Sequence, residues 1–60
     1  MERYVIIRKL KEQGIERVAL DCTTENPYLW RAIGWAQHGR VVEQDGISPI
    51  DALTKMLVVI

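Results

Sequence analysis

Sixty residues with eight basic and eight acidic side chains carry no net charge and make one small domain, residues 1–60, without the basic excess that supplies most of a nucleic-acid binder's affinity. One cysteine, Cys22, and one histidine, His38, leave no intramolecular disulfide and no four-ligand metal site, so neither a covalent staple nor a cofactor is expected. The apolar run Tyr4 to Ile7 is too short for a signal peptide or a membrane span, which points to a soluble, cytoplasmic protein without a membrane partner.

The first third of the chain has two readings. Arg3 to Leu10 opens on Tyr4, Val5, Ile6 and Ile7, residues of high β-propensity, and Ile15 to Cys22 alternates apolar with polar, so strands near 3–10 and 15–22 can form a hairpin through Lys11-Glu12-Gln13-Gly14. The rival is a helix near 2–13 that stops at Gly14 and leads into the same second strand. Thr23 to Pro27 is the central turn. The aromatic-rich stretch 28–36, with Gly34 in its middle, favours a strand followed by a Gln37-His38-Gly39 loop, although Asn26-Pro27 and Gly39 also suit the start and stop of a helix near 27–38. Val41 and Val42 between Gly39 and Asp45-Gly46 mark a strand near 40–45. In Ser48-Pro49-Ile50-Asp51 a side-chain oxygen stands at the N-cap, a proline at the first helical position and a carboxylate at the third; Ile50, Leu53, Met56, Leu57 and Ile60 then recur at spacings of three and four. This predicts an amphipathic helix over 49–59.

These elements predict an α+β fold: two β-hairpins forming one antiparallel sheet, with the C-terminal helix packed on one face. The alternative is α-β-α-β-α, with helices near 2–13 and 27–38. Trp30 and Trp35 are an odd number apart, so in a regular strand they point to opposite faces, and one helix covers only one of them. Burial of about 3,500 Å² of apolar surface stabilises a chain of this size by about 85–90 kcal/mol, against about 90 kcal/mol of ordering entropy. With disulfide and metal excluded, association is the remaining source of stability. The expected partners are further copies of the chain, as a dimer or higher homo-oligomer, together with a second protein. The expected interface is Trp30, Trp35 and the apolar end Leu57, Val58, Val59 and Ile60.

No group of residues reads as a catalytic centre. His38 has no convincing polar partner nearby in sequence, Cys22 fits a half-buried strand position, and Ser48 is used as a helix cap. Glu43 and Asp45 share a strand face that water reaches, so a raised pKa is not implied. Gly34, Gly39 and Gly46 lack the spacing of a phosphate loop. The chain therefore reads as a non-enzymatic interaction module. The competing class is a nucleic-acid binder that stacks bases on hairpin aromatics. Residues 1–20 hold five basic against three acidic side chains and the remainder three against five, so its contacts are expected at Arg3, Arg8, Lys9, Tyr28, Arg31 and Arg40.

Trp30-Arg31-Ala32, Gly39 and Gly46-Ile47-Ser48-Pro49-Ile50-Asp51-Ala52-Leu53 together resemble the strand, turn and helix start of HicB-like antitoxins, over about half of the chain. That family's Pro-Asp-Leu-Pro-Gly stretch and appended DNA-binding segment have no counterpart here. The resemblance implies a small dimerising β-sheet module of prokaryotic or phage type, antitoxin-like or inhibitory, without an operator-reading part. The same junction is similar to that of double-stranded-RNA-binding domains, in which Gly-x-Ser leads into a helix. Those domains place lysines at the helix start to meet phosphates, where this chain has Ile50 and Asp51.

Overall fold

The computed structural model describes residues 2–22 and 29–60. Helix α1 (Arg3–Glu12) is followed by strands β1 (Ile15–Cys22) and β2 (Trp30–Ala36), a single 3₁₀ turn at Gln37–Gly39, strand β3 (Val41–Gly46) and helix α2 (Pro49–Val59). The class is α+β, as the sequence indicates, but the first of the two expected hairpins is absent. Its first strand is α1, as in the alternative reading, whereas the segment after Leu29 is the strand of the first reading. The central turn and Tyr28 lie outside the described residues.

Why Arg3 to Glu12 coils despite its β-forming start is visible in its packing. Ile6 and Leu10, one helical turn apart, are 1% and 0% exposed, Ile7 packs beside them, and Arg8, Lys9, Lys11 and Glu12 face water. Intrinsic propensities differ by about half a kcal/mol per residue, while burying an isoleucine or leucine side chain stabilises by about 1.5–3 kcal/mol, so the face that can be buried decides. At the helix exit the Gln13 N–H donates to the carbonyls of Lys9 and Leu10, and the Gly14 N–H to that of Lys11. Gly14 then takes φ +100°, a conformation costly for any side chain, and the chain turns into β1.

The strands form one antiparallel sheet in the order β1-β2-β3. β1 carries a bulge: Ile15 pairs with Ala36 and Arg17 with Trp35, so Glu16 is an extra residue. The bulge shifts the alternation by one, which allows Ile15 and Val18, three residues apart, to face the helices together. On β2 the helix side carries Ala32 and Gly34, both buried, and Ala36. These small residues let α2 approach closely, since a Cβ on Gly34 would lie 2.9 Å from Met56 Sδ. The core is Ile6, Leu10, Ile15, Ala32, Ala52, Leu53 and Met56, held between the two helices and this one sheet face. α1 packs on α2 and β1; α2 covers β3 and β2.

α2 starts as its sequence requires. Ser48 Oγ accepts the Asp51 N–H at 3.0 Å, and Asp51 Oδ2 accepts the Ile47 N–H at 3.0 Å and lies 3.3 Å from Lys55 Nζ. This reciprocal cap closes on Ile47, the residue before the N-cap. No described helix is long and apolar enough to cross a membrane.

Candidate functional site

Both helices lie on one face of the sheet, and the pairing register identifies what the other face presents. Cross-strand neighbours there are Arg17, Trp35 and Val41; then Ala19, Ile33 and Glu43; then Asp21, Arg31 and Asp45. The apolar residues of this face run from one end row into the middle: Trp35 and Ile33 on the central strand, Val41 on β3 at 49% exposure, and Ala19 on β1, with Glu43 beside Ile33. At one end the Arg17 guanidinium sits 4.6 Å from the centre of the Trp35 ring, within cation–π range. At the other end Arg31 grips Asp45 with two hydrogen bonds, Nε to Oδ1 at 2.9 Å and an Nη to Oδ2 at 3.4 Å. The Arg31 fork holds the Asp45 carboxyl below the usual carboxylate range. At α2 the Asp51 carboxyl is lowered in the same direction, chiefly by the Ile47 N–H.

The residues expected from the sequence are distributed as follows. Trp30 and Trp35 do fall on opposite faces: Trp30 packs against the core under the helices, and Trp35 stands on the open face. The apolar chain end divides. Leu57 and Ile60 pack on the core, whereas Val58 is 79% and Val59 52% exposed. Of the residues considered for nucleic acid, Arg3, Arg8 and Lys9 are on α1, in the helix layer, while Arg31 is on the opposite side of the sheet and Arg40 follows the β2–β3 turn. They do not converge, and Tyr28 lies outside the described residues. The open face itself presents Arg17 and Arg31 against Asp21, Glu43 and Asp45.

Cys22 and His38 are also kept apart. Cys22 is exposed and pairs with Trp30 at the start of β2, whereas exposed His38 follows its end, about 20 Å away at about 3.4 Å per strand residue. His38 adopts φ 64°, beside Gly39 at φ 77°, in a three-residue loop closed by the Ala36 N–H donating to the Arg40 carbonyl at 2.8 Å. Ser48 is engaged in its cap. No group of three or more His, Cys, Asp or Glu side chains suited to a metal ion occurs among the described residues.

Sequence reasoning did not select Arg17, Ala19, Ile33 and Val41 as partners of Trp35. Ile33 is recoverable by counting back two residues along the strand, but Arg17, Ala19 and Val41 require the pairing register. No protein-family model, curated protein or solved structure matches the chain.

Proposed function

We propose that this chain is a non-enzymatic protein-interaction module that works as a small oligomer and binds another protein through the helix-free face of its sheet. The observation that carries the reading is the apolar patch on that face, Ile33, Trp35 and Val41, which no described element of the chain covers. Around it the charges are mixed and slightly acidic, which suits a protein surface and repels a phosphate backbone. The resemblance to HicB-like antitoxins adds the role: an antitoxin-like or inhibitory module of prokaryotic or phage type that acts by occupying a partner's surface. The stretches carrying the resemblance fall in β2, its following turn and the β3–α2 junction, the strand, turn and helix start that it implies.

The experiment is co-expression with the product of the adjoining gene, followed by co-purification of the wild-type chain and of Trp35→Asp. Recovery of a complex with the wild type, lost with a folded Trp35→Asp, supports the reading. A complex that tolerates the substitution removes the open face from it. Sedimentation of the wild-type chain as a folded monomer at micromolar concentration removes the oligomer. Tight binding of labelled single-stranded nucleic acid that weakens steeply with salt replaces the reading with the nucleic-acid alternative.

A further inference from the structure

β1 and β3 are the edge strands of the sheet among the described residues, and β1 has a sequence that matches itself. Among the described residues nothing hydrogen-bonds to the outer side of β1, which leaves a row of unpaired backbone donors and acceptors. The bulge at Glu16 bends the strand at one end, and the Cys22 N–H is bonded by Asp21 Oδ1 at the other. Between them lies the regular stretch Arg17-Val18-Ala19-Leu20-Asp21. It is self-complementary. Laid antiparallel on itself with Ala19 opposite Ala19, it places Arg17 opposite the second copy's Asp21 and Val18 opposite its Leu20, each twice.

Each of these pairings uses groups that the single chain engages only in part. Arg17 and Asp21 face the helix-free side, where Arg17 lies over the Trp35 ring and Asp21 stands opposite Arg31 in the register, but neither forms a close ion pair among the described residues. Val18 and Leu20 face the helix side and remain only partly covered. Ala19, at the centre, is small enough for the strands to meet there without a clash. Directly opposed charges and directly opposed aliphatic pairs are the contacts that stabilise antiparallel strands. α1, the helix that touches β1, also carries exposed apolar side chains, Tyr4 and Val5 at 77% and 40% exposure.

We propose that two copies join through their β1 edges, in antiparallel register centred on Ala19, into one six-stranded sheet ordered β3-β2-β1-β1-β2-β3. The two-fold axis runs perpendicular to the sheet, so all four helices lie on one side. The two open faces merge on the other into a single surface bearing two copies of Trp35. This proposal rests on the oligomeric part of the function proposed above and assigns it to a surface separate from the Trp35 face.

Charge reversal tests it. Arg17→Asp alone sets two carboxylates against each other at each end of the pairing, and Asp21→Arg alone sets two guanidiniums against each other, so each variant is expected to dimerise at least about tenfold more weakly than wild type. Mixed in equal amounts, the two variants form a heterodimer in which one end brings opposite charges together in reversed order and the other restores the original pair; the doubly reversed chain again forms a homodimer. Far-UV circular dichroism confirms that each variant folds. Amide exchange on the wild-type dimer gives a readout that needs no variant: alternate β1 amides pointing away from β2 slow as concentration rises. If single variants stay as dimeric as wild type, mixing restores nothing, or those amides exchange freely in the dimer, the proposal is overturned. A dimer abolished by Trp35→Asp but indifferent to the reversals assigns association to the open face, and overturns the edge pairing while leaving the module reading in place.

Discussion

His38 holds a left-handed backbone conformation, φ 64°, that β-branched residues adopt only at a cost of about 1–2 kcal/mol. His38→Asn is expected to leave stability unchanged to within about 0.5 kcal/mol, because asparagine tolerates this region, while His38→Val is expected to lose about 1–2 kcal/mol in urea unfolding. Equal midpoints for Asn and Val would mean that the loop relaxes out of this conformation. Gly46 is set by approach and not by φ: a Cβ there would lie 2.5 Å from the Ala52 backbone nitrogen and 2.9 Å from the Ala52 Cα. Backbone cannot move aside as a side chain can. Gly46→Ala is therefore expected to cost about 3 kcal/mol or more by pushing α2 away from β3, with a matching drop in the thermal midpoint. Neither constraint was legible in the sequence beyond the bare presence of a turn. The first depends on loop geometry and the second on a helix arriving from the far side of the junction.

Of the two helices, α2 was fully legible and α1 was not. The local signals at Ser48, Pro49 and Asp51 act within one turn of chain, and the reciprocal hydrogen bonds form as the spacing requires. Ser48→Ala is expected to cost about 1 kcal/mol, read as a lower urea midpoint. The cap also implies a pH dependence. Asp51 and Asp45 have folded pKa values below the ordinary carboxylate range, so near and below that range the unfolded chain binds more protons than the folded one. Their contribution is fully present above the ordinary carboxylate value, about 3.9, and is lost as pH falls through the lowered folded values. Thermal melts between about pH 2 and 6 are expected to show the midpoint falling on the acid side, and Asp51→Asn should flatten that fall. An acid limb parallel to wild type would show that the Ile47 and Lys55 contacts do not lower this carboxyl in solution. For α1 the local signals conflict: Tyr4 to Ile7 favour a strand, and only the covering of Ile6 and Leu10 by α2 and β1 resolves them.

Across the fold as a unit, the core is one small cluster in which each member counts. Leu53 is 0% exposed, and Leu53→Ala is expected to cost about 2–5 kcal/mol, a large part of the stability available to a chain of this size. For the proposed dimer, linkage predicts that the wild-type midpoint rises with protein concentration, because dimerisation would withdraw folded chains from the unfolding equilibrium. A midpoint independent of concentration over two decades would show that the folded monomer carries the whole stability. The candidate site was half legible at this level. The odd spacing of Trp30 and Trp35 placed them on opposite faces, but not which of the two remained uncovered. That depended on α1 joining α2 on the Trp30 side.

Strand β1, the capped helix α2, the α+β class and the separation of the two tryptophans follow from the amino-acid order alone. Each rests on contacts within a few residues or on the two-residue alternation of a strand. Folding in three dimensions was needed to make Arg3 to Glu12 a helix, to put both helices on one face, and to bring Arg17, Ala19, Ile33, Trp35 and Val41 into one surface. Those outcomes depend on register, on a bulge that shifts the alternation, and on which apolar surfaces find cover, and these are long-range balances that no local stretch of sequence contains.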